Sequence, residues 1–376
     1  MNIDNADVVV IGGGVIGLAT AYFTLKEGRD VVLLDKGIPG WEASGRNGGW
    51  AAGHGLVPED MGTSGPMKEG INIWKTLDEE LGAPTEFVLG GCLFVAFTEE
   101  ETVWVDQILK QALTVDHEVK KVDLQEMQEV IPALSDKAHY GLFFPQSGQA
   151  NPQLTSQAWT WGIQRLGGRV YQDTKVTGIK VEGDRVSGVE TTAGSIGAEQ
   201  VVNAAGPWSG VVNEMVGISF PTERLLIEMF CTQPAPPLTK ATFYGNILYC
   251  RQAVHGHLHF GGFHGSPKDV RKDSNKPTSS LITGDTAKRF LELVPTTANM
   301  RVLRTWAGII EMTPDDTPIM GKMDYPEGYY VNIGYGGMGF SWSPIAGKMM
   351  SEVLTKGETL QDARALSPTR FDDPSP

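Results

Sequence analysis

Residues 8–22 read VVVIGGGVIGLATAY, and few folds accommodate that order. Residues 7–11 are a run of valine and isoleucine after a single acid, with no polar alternation, as a parallel strand covered on both faces requires. Gly12, Gly14 and Gly17 then spell G-x-G-x-x-G, and helical apolar spacing follows from Leu18. Each glycine has its own reason: Gly12 for the tight turn, Gly14 for close approach of backbone to a pyrophosphate, Gly17 for close packing of helix on strand. Val15 and Ile16 open the helix, whose unpaired N–H groups and positive dipole end suit a phosphate.

The next segment, RDVVLLDKG at 29–37, supplies a second strand ending at Asp35, 23 residues after Gly12, where an acid meets a ribose hydroxyl in dinucleotide folds. Strand, glycine turn, helix, strand and acid in that order separate a dinucleotide site from a glycine turn that merely tightens a βαβ unit. NAD and FAD both satisfy the pattern. Residues 43–49, ASGRNGG, are polar and glycine-rich and read as a loop lying against the rest of a large cofactor.

A chain of 376 residues suits two domains of ordinary size. Its 46 glycines show no G-X-Y period, so they mark turns and close approaches. The formal charge of −14 opposes nonspecific binding to nucleic acid or anionic lipid. Cys92, Cys231 and Cys250 are scattered and odd in number, which fits a reducing compartment and a cytoplasmic protein. The start, MNIDNADVVV, has no basic leader region, so no cleavable signal is expected. No uncharged apolar span reaches the ~18 residues of a membrane helix.

Helices are expected over PMKEGINIWKTLDEELG, EETVWVDQILKQALTV, LQEMQEVIPAL, from Leu154 onward, and over LITGDTAKRFLELVP. EFVLGGCLFVAFTEEE and GLFFPQ read as strands, and residues 171–206 as three short strands ending in the buried run QVVNAAG. There Ala204, Ala205 and Gly206 are small enough for a cofactor to lie against backbone, or mark a plain strand end before Pro207. Residues 216–265 carry further strand signals, and KDVRKDSNKPTSS reads as a solvated loop. The chain closes with a second strand, glycine turn and helix: 330–333, then Gly334, Gly336, Gly337 and Gly339, then a helix over 343–353.

Taken together, VVIGGGVIGLATAYFTLKEG, VVLLDKG, SGRNGG, VVNAAGPWS, RTWAGIIEMTPDDTPIMG and NIGYGGMGFSWSPIAG resemble the D-amino-acid oxidase superfamily of FAD enzymes. The branch is the one holding glycine oxidase, sarcosine oxidase and the flavin subunits of proline, hydroxyproline and opine dehydrogenases. The resemblance implies an α/β plus α+β architecture: a Rossmann-like FAD-binding domain and a second, mainly antiparallel-sheet substrate domain. It divides the chain into FAD-binding segments 1–85, 145–215 and 301–376 and substrate segments 86–144 and 216–300.

By the same resemblance, Gly12, Gly14 and Gly17 face the pyrophosphate, Asp35 the adenosine ribose, and Lys36 the adenine end. Ser44, Gly45, Arg46, Asn47, Gly48 and Gly49 flank the pyrophosphate and isoalloxazine. Val176 touches adenine, and Ala204, Ala205, Gly206 and Trp208 the adenosine side. Gly308 with Gly336, Gly337, Met338, Gly339 and Phe340 closes over the flavin ring. Monomeric sarcosine oxidases carry a flavin-linking cysteine where this chain has Gly308, so noncovalent FAD is expected. They also place a carboxylate-holding lysine where this chain has Ser341, and an oxygen-activating lysine near His259. Loss of that lysine implies a dehydrogenase that passes electrons to another acceptor, such as a partner subunit.

Flavin oxidation of an amine sends a hydride from the α-carbon to N5, so the protein supplies orientation and field, and no strong base is obligatory. A substrate carboxylate calls for an arginine fork. Arg251 in YCRQAVHGHLHFGG is the first candidate, with Arg46 and Arg304 as alternatives that also suit cofactor and structural roles. Trp306 is a candidate pocket wall or a packed indole. His255, His257 and His259 alternate as if on one strand face, a pattern compatible with a metal, though the better expectation is that one of the three lines the cavity, and the resemblance makes His259 the catalytic candidate. Rival classes are a flavoprotein subunit that relays electrons and an NAD enzyme without flavin.

Overall fold

The computed structural model describes residues 5–53, 64–115, 118–263 and 278–371. The chain begins with strand β1 (Ala6–Ile11), helix α1 (Val15–Lys26), β2 (Val31–Leu34), the single turn α2 (Ala43–Arg46) and β3 (Trp50–Ala52). It continues through α3 (Ser64–Leu81), β4 (Cys92–Ala96), α4 (Glu99–Thr114), β5 (Lys120–Val122), α5 (Leu124–Val130), β6 (Tyr140–Phe144) and β7 (Ser147–Gln149). Then come α6 (Pro152–Arg165), β8 (Arg169–Tyr171), β9 (Val176–Glu182), β10 (Arg185–Thr191), β11 (Gly194–Asn203) and α7 (Ser209–Asn213). The last part holds β12 (Glu223–Pro234), β13 (Thr242–Gly245), β14 (Leu248–Gln252), β15 (His257–Phe263), α8 (Ser280–Leu293), β16 (Val302–Met312), β17 (Ile319–Lys322), β18 (Tyr329–Ile333) and α9 (Gly339–Lys356).

The valine run of β1 is buried on both sides because it is central: it pairs in parallel with β2 and with β11, Val9 lying opposite Val32 and Val201. The sheet order is β17-β18-β11-β1-β2-β8, parallel except at β17, with β9 and β10 continuing from β11 as antiparallel hairpins. One face carries α1, α3, α6 and α9 around Leu18, Trp74, Trp159 and Ile345. The other closes over Ile11, Leu34, Val176 and Val331. A second sheet runs β16-β12-β15-β14-β13-β4-β6-β5, antiparallel except where β13 meets β4. β3 and β7 form a small two-stranded sheet.

Local chemistry explains most boundaries. Thr98 and Glu101 form a capping box on α4, and Asp123 and Glu126 form one on α5. Asn151 caps α6 and Pro152 occupies its first turn, so that helix starts two residues earlier than Leu154, where the apolar spacing begins. The final helix likewise begins at Gly339 and not at 343, because a 3-10 turn over Gly336–Met338 winds directly into it. Residues 43–49 are not a plain loop: Asn47 Nδ2 donates to the carbonyls of Ala43 and Ser44 and closes one helical turn there. In EFVLGGCLFVAFTEEE the extended strand is confined to β4, with Val88 bridging to Gln149. β16, which the division at residue 301 groups with the nucleotide part, pairs along its length with β12 in the second sheet. Of the solvated loop read over 268–280, residues up to 277 lie outside the described residues.

Candidate active site

At the carboxyl end of the parallel sheet the glycine turn is dictated by backbone crowding. A Cβ on Gly12, which has φ +111°, would fall 2.4 Å from the Ala204 carbonyl oxygen, and one on Gly17 would fall 2.0 Å from the Gly12 oxygen. At Gly14 the one near neighbour is Ser44 Oγ, 3.1 Å away. Ser44 Oγ accepts from Val15 N–H at 2.9 Å, and α1 has no acid in its first turn, so its positive end faces the Ser44 loop. Asp35 Oδ2 accepts from Gly13 N–H at 2.7 Å and Oδ1 from Gly37 N–H at 2.8 Å, which fixes the carboxylate beside the turn. Lys36 Nζ sits 3.2 Å from the centre of the Trp208 ring, joining the ends of β2 and β11 through a cation–π contact. Val176 is buried with Ile11 and Leu34, and a Cβ at Gly206 would meet nothing within 4 Å.

The second sheet contributes a face. Strand register places Arg251 opposite His259, His259 opposite Cys231, and Cys231 opposite Arg304. Two residues along, and so on the same face, Tyr249, Gly261, Met229 and Trp306 form a neighbouring row. His259 and Trp306 meet edge to face with ring centres 6.0 Å apart. Arg251 is 6% exposed; its Nη1 donates to Gln149 Oε1 at 3.1 Å and its Nε is buried with no hydrogen-bond partner. Burial lowers the guanidinium to about 10, against the opposing pull of Tyr249 and Glu86. Burial, then the charge of Arg251, then His257, drives His259 down to about 3, so its imidazole is neutral.

Gly48 and Gly49 let the two parts meet. A Cβ on Gly48 would fall 2.1 Å from the Tyr249 ring, and one on Gly49 would fall 2.9 Å from the Arg251 guanidinium. Gly48 N–H donates to the Tyr249 hydroxyl at 2.9 Å, and Gly49 N–H to Asn47 Oδ1 at 2.7 Å. Arg46 is committed to backbone: Nε donates to the Trp41 carbonyl at 3.0 Å and Nη1 to the Ala307 carbonyl at 2.9 Å. Trp306 Nε1 returns a bond to the Arg46 carbonyl at 2.8 Å. Arg46 therefore clamps α2 to β16 beside Gly308, whose Cβ position would be 3.3 Å from Arg46 Cβ. Gly45 serves packing, since a Cβ there would meet the Gly40 oxygen at 2.2 Å.

Ser341 is equally occupied: its Oγ donates to the Trp50 carbonyl at 2.8 Å and accepts from Ala52 N–H at 3.0 Å, pinning β3 to α9. The turn of Gly336, Gly337, Met338, Gly339 and Phe340 starts α9 without an acid in its first turn. Glu311, at the end of β16, anchors this region by accepting from Gly334 N–H at 3.1 Å, from Thr222 Oγ1 at 3.0 Å and from Ser209 Oγ. Burial raises its carboxyl to about 7.

Of the three alternating histidines only His257 and His259 stay on β15, two residues apart; His255 lies in the β14–β15 turn with Nε2 3.2 Å from Glu86 Oε1, and His257 Nδ1 donates to the Thr232 carbonyl at 2.8 Å. Among the candidate residues, Arg251, His259 and Trp306 are brought together and Arg304 lies at the exposed end of their row. Tyr249, Gln149, Glu86 and Cys231 join them. Strand alternation from Arg251 was the available signal for Tyr249; Gln149 and Glu86 come from segments whose pattern gave none.

Two helix starts without an acid in the first turn, each entered through glycines, together with an open Cβ position at Gly206, fit an extended dinucleotide anchored at one end on α1 and at the other on α9. A parallel nucleotide sheet joined in this way to an antiparallel sheet with a buried arginine defines a two-sheet dinucleotide-binding protein. The chain belongs to the DAO family of FAD-dependent oxidoreductases, whose sequence model matches residues 7–353. It is an oxidoreductase, and FAD is its cofactor. The chain is 27% identical over 360 residues to the sarcosine oxidase subunit beta of Rhodobacter capsulatus, covering 93% of this chain and 85% of that one. It is 26% identical over 409 residues to the hydrogen cyanide synthase subunit HcnC of Pseudomonas protegens, covering 98% and 97%. The L-proline dehydrogenase structure from P. horikoshii superposes with a TM-score of 0.88 at 26% identity, covering 98% of each chain. Among the described residues no helix is long and apolar enough to cross a membrane.

Proposed function

We propose that this enzyme oxidises an amino acid or secondary amine bearing a carboxylate, of glycine, sarcosine, proline, hydroxyproline or opine type, to the imine. The observation that carries the reading is Arg251: a buried guanidinium with an unpartnered Nε, on the sheet face that meets the Gly48–Gly49 turn. A buried cation retains such a vacancy at a cost, and a carboxylate fork fills it. Gln149 holds Nη1 and sets the plane of the fork. Bound FAD supplies the acceptor for the hydride and its two electrons. Neutral His259 adds no second cation, and Trp306, held by Arg46, walls the same face. The amine must arrive neutral, since an ammonium nitrogen has no lone pair to stabilise the developing iminium.

The glycine turn with Val15 and Ile16 would hold the pyrophosphate together with Ser44. Asp35 would hold the ribose, and Lys36, Val176, Ala204, Ala205 and Trp208 the adenosine end. The Gly336–Phe340 turn and Gly308 would lie by the ring, with no cysteine at 308 to link it. Electron transfer to a partner subunit or another acceptor in place of oxygen is favoured by the relatives named as subunits and by a neutral imidazole near the lysine position of the oxidases. Three free cysteines suit a cytoplasmic setting.

R251K tests the assignment. Loss of a buried fork is expected to raise KM for carboxylate-bearing amines by about 10- to 100-fold, the equivalent of ~1.5–3 kcal/mol, with FAD content unchanged. Equal losses for amines with and without a carboxylate would overturn it. Flavin reduced by substrate under anaerobic dye but slow to reoxidise in air supports the dehydrogenase reading; rapid reoxidation removes it.

A further inference from the structure

Arg251 does not stand alone in its corner. Residues 85–88 run antiparallel to 149–151: Val88 bridges Gln149, and Asn151 N–H donates to the Thr85 carbonyl at 2.8 Å. Glu86 is thus two residues from the partner of Gln149, the side chain that holds Arg251. Its carboxylate is fixed from two sides, Oε2 by Asn151 Nδ2 at 2.9 Å and Oε1 by His255 Nε2 at 3.2 Å. His255 belongs to the turn that leaves β14, the strand carrying Arg251, so segments 85–88, 149–151 and the end of β14 meet around Glu86. Along it exposure rises outward: Gln149 is 3% exposed, the Glu86 side chain 20% and that of His255 74%. The charges of Tyr249 and then Glu86 oppose the lowering that burial imposes on the Arg251 guanidinium.

The backbone points the same way. Glu86 has φ +57°, a left-handed conformation that costs any residue with a side chain and that glycine would adopt freely. The carboxylate so presented is held by Asn151 and His255 at the partly exposed edge of the corner that buries Arg251.

We propose that Glu86 is a specificity-determining residue: it places a fixed negative charge on the outer side of Arg251, so that amines with one carboxylate are accepted and those with a second are repelled. The proposal rests on the assignment of Arg251 as the carboxylate anchor, and among the substrate types proposed above it removes the opine type. The second carboxylate of an iminodiacetate- or opine-like molecule would meet Glu86 with no cation assigned to it, and like charges held together discriminate strongly.

The test uses FAD-loaded enzyme and follows perturbation of the flavin visible spectrum by acetate and by malonate, so it needs no knowledge of the substrate. Wild type should bind acetate more tightly than malonate. E86Q, which keeps shape and removes charge, should tighten malonate at least about tenfold relative to acetate, the shift expected of one relieved like-charge contact. E86G, which also relieves the backbone strain, should shift the ratio in the same direction. An unchanged ratio in both variants, or loss of FAD from both, overturns the proposal and makes Glu86 a structural brace of Asn151. If E86Q leaves the ratio unchanged while R251K weakens both anions, the Arg251 assignment survives without this one. If neither anion perturbs the wild-type spectrum, both fall.

Discussion

His259 gives a stability test whose size follows from the structure. Its imidazole lies between the rows of β14 and β12 and faces Arg251 across the strand pair, so burial and that charge depress it from 6.5 to about 3. A depressed histidine contributes stability in full above the unfolded value and loses it as pH falls from 6.5 toward 3, because the unfolded chain binds the proton and the folded one does not. At about pH 5 the cost is ~2 kcal/mol, from 1.36 kcal/mol per unit over the interval below 6.5, and it holds for any folded value well under 5. H259Q cannot take up the proton. Urea unfolding at about pH 7.5 and about pH 5, with FAD in fixed excess, should show wild type losing ~2 kcal/mol more than H259Q over that interval. Equal losses in both proteins would mean that His259 is solvated or already charged, and the account of a neutral imidazole beside Arg251 would fail.

Glu311 titrates in the opposite sense. A carboxyl raised from 4.5 to about 7 contributes below 4.5 and loses that contribution as pH rises through 7, so wild type should lose up to ~3 kcal/mol relative to E311Q between about pH 4 and about pH 8. A pH-independent difference in urea unfolding would contradict it. G48A places a methyl 2.1 Å from the Tyr249 ring and should cost ~1–3 kcal/mol with weakened FAD retention. Wild-type stability in that variant would show that the loop and Tyr249 do not pack as described. S341A deletes the bridge between Trp50 and Ala52 and should cost ~1–3 kcal/mol while leaving KM unchanged. A raised KM at unchanged stability would make Ser341 a substrate contact.

The nucleotide half was legible because its signals are local: a valine run needs a central parallel position, and a glycine turn needs close backbone, so β1, α1 and β2 follow from neighbours in sequence. Arg251 and Trp306 were legible as candidates from residue type and His259 through the resemblance, but their meeting was not, since antiparallel register across β14, β15, β12 and β16 is a tertiary fact. Gly48 and Gly49 were read as cofactor neighbours, and the structure gives them a further cause in the Tyr249 and Arg251 side chains packed on them. Arg46 passed for a possible anion ligand because composition cannot reveal that two carbonyls already hold its fork. Glu86 escaped notice for a similar reason: its importance lies in a left-handed backbone and in partners drawn from two distant segments.

The central claim is that a carboxylate-bearing amine reduces the bound FAD while Arg251 holds the carboxylate. The most direct measurement is anaerobic bleaching of the flavin absorbance by sarcosine, glycine, proline, hydroxyproline and an iminodiacetate, each beside the matching amine that lacks a carboxylate. Bleaching by at least one carboxylate-bearing amine, and not by its carboxylate-free counterpart, is the predicted result. Bleaching that ignores the carboxylate, or purified protein that takes up no FAD, would contradict the account.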